Sequence, residues 1–181
     1  MTDFLPKAYE VPSQGGNYMK FKQGDNNFRI LSSAIIGYEY WTNENKPVRS
    51  KEQFEETPNA KEDKNGKVSV KHFWAFVAVD LSDNEIKILE VTQVSIQNTI
   101  MSFVQNDKWG DPKGYDINVN RTGEGIETDY TVMPSPHLKL DKEVEKTYKE
   151  MEINLEALYD GANPFEKKAG KPEEVEEVPK F

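Results

Sequence analysis

The sequence predicts a mainly β fold: a five-stranded Greek-key barrel with one helix between strands 3 and 4, followed by a C-terminal helix and a disordered acidic tail. Three observations lead to this prediction. Five segments are rich in β-branched and aromatic residues and alternate between apolar and polar positions. Turn signals separate these segments, and one segment of helical periodicity follows the third of them.

The first strand is predicted over residues 27–41, "NFRILSSAIIGYEYW", where the alternation slips around Ser32 and Ser33. Such a slip is typical of a bulged or strongly bent strand. Residues 18–24 alternate as a short preceding strand would. Residues 67–81 and 85–93 form the second and third strands, joined as a hairpin by a tight turn.

Apolar residues at helical spacing predict a helix over residues 95–106. Residues 115–121 and 126–134 then alternate on either side of a glycine-rich turn, which predicts a second hairpin. Among small β architectures this order of elements matches the OB-fold. A generic β-sandwich is the alternative, but it gives no reason for a single helix at this point.

Composition divides the chain into four parts: an N-terminal arm (1–17), the barrel (18–136), a C-terminal helical extension (137–165) and an acidic disordered tail (166–181). In the extension, apolar residues recur every three or four positions from Leu140 to Leu158, which predicts an amphipathic helix broken near Asn154. We favour packing of this helix on the barrel. A helix that binds a partner protein is the alternative.

Enzyme activity is not expected. The chain has no cysteine and two histidines, His72 and His137, and it contains no Gly-x-Ser-x-Gly turn. Because it also lacks a phosphate-binding glycine loop and zinc-ligand spacing, we expect neither a cofactor nor a metal. No apolar run approaches the roughly 20 residues of a membrane span, and the N-terminus lacks the pattern of a secretory signal.

Aromatic residues on the strands and basic residues beside them indicate binding of single-stranded nucleic acid. Such binding needs ring faces on which bases stack and Lys or Arg side chains that follow the phosphates. The net charge of −9 does not exclude it, because residues 20–49 are locally basic. Taken singly, each ring is more often a core residue than a platform for a ligand.

The candidate contacts lie on the two long strands and the segments that flank them. A subset of seven rings is predicted to stack on bases: Tyr38, Tyr40, Trp41, Phe73, Trp74, Phe76 and Trp109. Phosphate contacts are predicted for Lys20, Lys22, Arg29, Lys46, Arg49 and Arg121. Lys46 and Arg49 are the stronger candidates, since they open the long polar loop after the first strand.

The last residues, "EEVEEVPKF", suggest a further site. One interpretation is a solubilising end. The other is an anionic mimic of DNA that occupies the basic groove when DNA is absent and contacts partner proteins when DNA displaces it. The partner-binding candidates are Glu173, Glu174, Glu176, Glu177 and Phe181.

Five segments carry a family resemblance: "FRILSSAIIGYEYW…KPVR" (28–49), "HFWAFVAVD" (72–80), "IKILEVTQVSI" (86–96), "WGDPKGYDINVNRTGEG" (109–125) and "LEALYDGANPF" (155–165). In them the chain resembles the OB-fold single-stranded DNA-binding proteins of tailed bacteriophages. The resemblance implies sequence-independent binding that protects and organises single-stranded DNA in phage replication, recombination and repair. It also implies action in the cytoplasm of the infected host and contacts of the tail with replication and recombination proteins.

The sequence departs from that family in two ways. Some phage members hold a zinc ion in an inserted loop, and this chain has no cysteines to do so. Lys180 also interrupts the acidic end before Phe181. Two other functions stay open: a protein-interaction module that uses the barrel surface or the C-terminal helix, and a phage structural component. The choice between DNA and RNA is open as well, because stacking and phosphate contacts do not involve the 2′-hydroxyl.

Overall fold

The computed structural model describes residues 17–166 and shows a mainly β protein with one mixed sheet of eight strands. The strands are β1 (Tyr18–Met19), β2 (Gly24–Ile30), β3 (Ile35–Trp41), β4 (Pro47–Ser50), β5 (Lys71–Asp80), β6 (Glu85–Val91), β7 (Asp116–Thr122) and β8 (Asp129–Pro134). Helix α1 spans Val94–Gln105 and helix α2 spans Lys142–Met151. Short 3₁₀ helices lie at Pro112–Gly114, Gly125–Glu127 and Leu155–Asp160.

The sheet follows the order β1-β6-β5-β2-β7-β8, with β3 paired to β5 and β4 to β3. All the ladders are antiparallel except the one between β1 and β6. Strands β2, β5 and β6 lie side by side in the sheet, and β7 returns after α1 to lie on the other side of β2. This arrangement is the strand order of a Greek key.

The prediction of five strands was wrong, because local backbone interactions divide the sheet further. The hydroxyl of Ser32 accepts a hydrogen bond from Val77 N at 2.8 Å, which replaces a ladder bond and separates β2 from β3. Asn45 adopts a left-handed conformation (φ 58°), which turns the chain back on β3 and creates β4 inside the predicted loop. Within residues 17–166, no ladder joins β6 to β8, so backbone hydrogen bonds do not close the sheet into a barrel.

The main core fills one side of the sheet. Phe28, Phe76 and Ile117 point into it, and α1 seals it with Ile96 and Ile100. All five side chains are at most 2% exposed. The period-two pattern of the strands and the helical pattern of α1 therefore meet in one apolar interior.

The opposite side of β5 is also buried, under the C-terminal extension. Val77 and Val79 contact α2, whose residues Val144, Tyr148 and Met151 lie on one helical face. Asp141 caps this helix, since its Oδ1 accepts a hydrogen bond from Glu143 N at 2.8 Å. The extension therefore gives the sheet a second layer.

Beyond α2, Leu158 seals the same face nearer the start of β5. It packs against Phe73, Ala75 and Ile88 and is 3% exposed.

If Leu158 anchors this second layer, Leu158→Ala will lower the free energy of unfolding by about 2–5 kcal/mol, because it leaves a cavity over β5. Urea denaturation measures this change. Leu138→Ala is the matched control, since Leu138 is 64% exposed and its truncation is expected to change stability by no more than about 0.5 kcal/mol. Equal effects of the two substitutions would contradict the burial described for Leu158.

Candidate nucleic-acid interface

A groove of about 760 Å³ lies where β1, β3, β4 and the start of β5 approach the ends of β6, β7 and β8. We call it the cationic groove. Five basic and two acidic side chains line it: Lys20, Lys46, Arg49, Lys71, Arg121, Glu39 and Glu90. Four rings line it as well: Tyr18, Phe21, Trp41 and Tyr130.

The strand registers explain why these side chains meet. Glu39 on β3 lies opposite Arg49 on β4 and Lys71 on β5, so the three side chains share one face of the sheet. Trp41 lies two residues after Glu39 on that face, opposite Pro47. The alternation of side chains along the strands thus gathers one aromatic ring, two basic side chains and one acidic side chain at one edge of the groove.

The groove floor contains a compact charge cluster. Arg49 donates from Nε to Glu39 Oε2 at 3.2 Å and from Nη2 to Glu90 Oε2 at 2.7 Å. Its side chain is 9% exposed. Burial, reinforced by the neighbouring Glu90 carboxyl, raises the pKa of Glu39 to about 8. The raised pKa favours a proton on Glu39, which lowers the repulsion between the two carboxyl groups that flank Arg49.

Trp41 joins the cationic groove to a second depression of about 410 Å³ under the segment between β4 and β5. Trp41 and Lys71 line both. The second depression adds Lys61 and Lys67 from the long loop, together with Glu62 and Asp63. Because Trp41 is 46% exposed at the junction, its ring is open to solvent between two groups of lysines.

At the other end of the groove, Arg121 lies opposite Tyr130 in the ladder between β7 and β8. The ring of Tyr130 packs on Phe21 with centroids 5.9 Å apart. Arg121 Nη1 donates to the carbonyl of Phe21 at 2.9 Å, whereas its buried Nε has no hydrogen-bond partner in the described part of the chain. Such a donor is costly unless a ligand satisfies it.

The structure brings Lys20, Lys46, Arg49 and Arg121 to the groove, where the guanidinium of Arg49 is engaged by Glu39 and Glu90, and it places Arg29 and Lys22 elsewhere. Arg29 is 2% exposed and pairs with Asp116 at 2.7 Å, on the side of the sheet covered by α2. Its Nη1 also donates to the carbonyl of Leu138. Arg29 therefore forms a structural ion pair. The prediction that Arg29 contacts phosphate is corrected accordingly. Lys22 is exposed outside the groove.

Three of the seven predicted rings lie in the interior, so they are removed from the candidates for stacking on bases. Phe76 belongs to the main core, Phe73 lies under the C-terminal extension, and Tyr40 packs edge-on against Phe54. Their exposures are 2%, 0% and 2%. The physical reason is that β5 is buried on both faces, and that β4 and the following segment cover Tyr40.

Three further rings are partly exposed but lie outside the groove. Tyr38 pairs with His72, with centroids 5.2 Å apart, on the other face of β3. Trp74 and Trp109 pack against the main core, and Trp109 also stacks on His137. Of the predicted rings, Trp41 alone lines the groove.

Sequence reasoning missed Lys71, Tyr18 and Tyr130. Lys71 begins β5, and its cross-strand position opposite Glu39 identifies it only when the register is known. Tyr18 lies in a two-residue strand, and Tyr130 lies in the second hairpin, where alternation alone does not distinguish a groove residue. Proximity across the sheet was the missing signal in each case.

The predicted tail site, Glu173, Glu174, Glu176, Glu177 and Phe181, lies outside the described residues. Between residues 17 and 166 the structure contains no group of three or more His, Asp or Glu side chains placed to hold a metal ion. In the same range, no helix is both long enough and apolar enough to cross a membrane.

The raised pKa of Glu39 makes stability depend on pH. Its proton is held more tightly in the folded than in the unfolded protein, so this stabilisation is complete below about pH 4.5 and is lost as the pH rises to about 8. Glu39→Gln will therefore gain stability relative to the wild type progressively over that window and level off above it. Urea denaturation across the pH range measures the difference. Glu85→Gln controls for the loss of one negative charge, and a difference for Glu39→Gln that is constant with pH would contradict the assignment.

The comparisons with known proteins agree with a nucleic-acid interface in one respect. The chain is 31% identical over 156 residues to a protein of Escherichia phage T5 named probable ssDNA-binding protein. The match covers 71% of this chain, and the chain spans 60% of the length of the phage T5 protein. No family model matches the chain, and no solved structure matches it significantly.

Proposed function

We propose that the protein binds single-stranded DNA in the cationic groove, without sequence preference and without catalysis. The observation that carries the proposal is the gathering of five basic side chains and four rings in one groove of a protein whose net charge is −9. The similarity to the phage T5 protein supports the choice of ligand. Because the chain spans only part of that protein, the activity is proposed for this chain on its own geometry.

The distribution of charge favours an anionic ligand at this groove. Lys20, Lys46 and Lys71 are exposed there, while the neighbouring acids, Glu39 and Glu90, are engaged with Arg49. By contrast, the cavity of about 960 Å³ between α2 and the sheet is lined by four acidic and two basic side chains. A polyanion would therefore be attracted to the groove side of the molecule.

The rings supply the second requirement of a single-strand binder. Trp41 lies at the junction of the two depressions, and Tyr130 lies at the far end beside Arg121. Stacking on such rings contributes roughly 1–3 kcal/mol per base and tolerates any sequence, because every base has a π face. Duplex DNA hides these faces, so the rings favour single strands.

We propose that the sheet is a variant of the OB-fold barrel. Strands β6, β5, β2 and β7 have the Greek-key order, and α1 connects β6 to β7, as the sequence predicted for the helix between strands 3 and 4. OB-folds are partly open and bind oligonucleotides on strands 2 and 3 and on adjacent loops. In this chain those parts correspond to the start of β5, the end of β6 and the loop that carries Lys61 and Lys67.

We further propose that the binding protects and organises single-stranded DNA in phage replication, recombination and repair, in the cytoplasm of the infected host. The phage origin of the similar protein supports this setting. Contacts of the acidic C-terminal residues with replication and recombination proteins are part of the same proposal.

The proposal predicts that oligonucleotide affinity depends steeply on salt. For single strands, log K is expected to fall by about 0.7 per phosphate contact for each tenfold increase in salt. Lys71→Gln will weaken binding similarly for all sequences and reduce this slope by about 0.7. Fluorescence anisotropy with a labelled oligothymidylate at several salt concentrations measures both quantities.

Lys146→Gln is the matched control for Lys71→Gln, because Lys146 is exposed on α2 outside the groove. Binding of the wild type that is insensitive to salt would reject the proposed function. Absence of any nucleic-acid binding, together with a stable protein complex in pull-downs, would favour a protein-interaction module instead.

A second prediction concerns Trp41, one of three tryptophans in the chain. Trp41→Ala will weaken binding by about five- to 150-fold, because it removes a stacking platform. Trp41→Phe will keep most of the affinity but abolish the quenching of tryptophan fluorescence by DNA, since Trp74 and Trp109 lie outside the groove. Trp109→Phe is the control that retains quenching; quenching that survives in Trp41→Phe would contradict the placement of DNA at Trp41.

A further inference from the structure

The segment after α2 forms one wall of the cationic groove. We call residues 153–166 the C-terminal strap. Its residues Leu158, Gly161 and Ala162 line the groove together with the basic side chains. The strap therefore does more than cover the sheet, since it also limits the space that a ligand can occupy.

Several independent contacts fix the strap in this position. Leu158 is buried over β5, and the hydroxyl of Tyr159 donates a hydrogen bond to the carbonyl of Ile36 on β3. Asn154 N donates to the carbonyl of Pro164 at 2.9 Å, which closes the strap on itself. The end of the strap is thereby held next to β1.

The groove residue Tyr18 is in contact with this wall. Strand β1 has two residues and one ladder, a parallel pairing with Ile88 and Leu89 at the edge of the sheet. So short an edge strand fixes its side chains weakly by backbone bonds alone. The ring of Tyr18 meets the ring of Phe165, from the strap, at a centroid distance of 6.1 Å and an angle of 83°. This edge-to-face geometry is a favourable one for two aromatic rings.

We propose that Tyr18 stacks on a base in the cationic groove and that Phe165 is a positioning residue that holds the Tyr18 ring for it. The inference rests on the proposed function. Tyr18 is half-buried, lines the groove beside Lys20 and Arg49, and presents a flat ring close to basic side chains, as a stacking platform requires. Phe165 contacts the Tyr18 ring but does not itself line the groove.

Oligonucleotide titrations by fluorescence anisotropy test this role with four variants. Tyr18→Ala is expected to weaken binding by about five- to 150-fold, whereas Tyr18→Phe keeps the affinity because the ring face remains. Phe165→Ala is expected to weaken it by about two- to tenfold, because the platform remains but is no longer held. The double variant Tyr18→Ala/Phe165→Ala is expected to bind as Tyr18→Ala alone does, since Phe165 acts through Tyr18.

The salt slope separates positioning from general damage to the groove. Phe165→Ala is expected to leave the slope unchanged, because no phosphate contact is lost, whereas a displaced strap would alter the lysine contacts and the slope. Phe165→Tyr, which restores a ring, is expected to restore the affinity. If Phe165→Ala does not fold, Phe165→Leu replaces it, because leucine keeps the apolar contact and removes the aromatic pair.

Tyr148→Ala is the control, since it removes a half-buried tyrosine of α2 that packs outside the groove. Three results would each overturn the positioning role. They are wild-type affinity in Phe165→Ala or Phe165→Leu, additive losses of affinity in the double variant, and a changed salt slope in Phe165→Ala. Wild-type affinity in Tyr18→Ala would overturn the stacking role. A wild type that binds no single-stranded DNA would instead reject the proposed function itself.

Discussion

Strand β5 is apolar on both faces, and the remainder of the structure is arranged to keep both of them from water. Phe76 and Ala78 point into the main core, while Phe73 and Val77 require a second cover that the sheet cannot supply. At roughly 1.5–3 kcal/mol per large apolar side chain, exposure of the second face would cost much of a typical domain's stability. The C-terminal extension provides this cover, and its position follows from that need.

The same constraint determines where a ligand can approach. Since α2 and the strap occupy the outer face along most of β5, this strand is uncovered near its polar start, at Lys71. There the cross-strand partners are Glu39 and, one strand further, Arg49. The cationic groove therefore includes a part of the sheet face that the second layer leaves uncovered, whereas Phe73, two residues further along β5, is covered by the strap.

The sequence predicted a mainly β fold and the places of several elements because these depend on local patterns, but it did not predict β4, which pairs with β3. The helical period of α1, the slip at Ser32 and the end of α2 before Asn154 all rest on neighbouring residues. The site was predicted less completely, because it depends on pairing across the sheet. Lys46 was found from its place in a basic loop, whereas the burial of Arg29 depends on Asp116, a residue far away in the chain. Single-residue arguments could not distinguish a lysine exposed in a groove from an arginine engaged in an ion pair.

The character of the groove argues for recognition without sequence preference. Reading base edges requires rigid donors and acceptors, and arginine, asparagine and glutamine are the usual ones. In this groove the guanidinium of Arg49 is engaged by two carboxyl groups, and Gln93 already accepts a hydrogen bond from Thr92 N. Among the other groups of the groove, flexible lysines and ring faces suit the phosphates and π faces common to every nucleotide, and one further arginine, Arg121, lies at the far end. Because the buried acids hold Arg49 in place, they remove one selective contact, which supports the proposed binding without sequence preference.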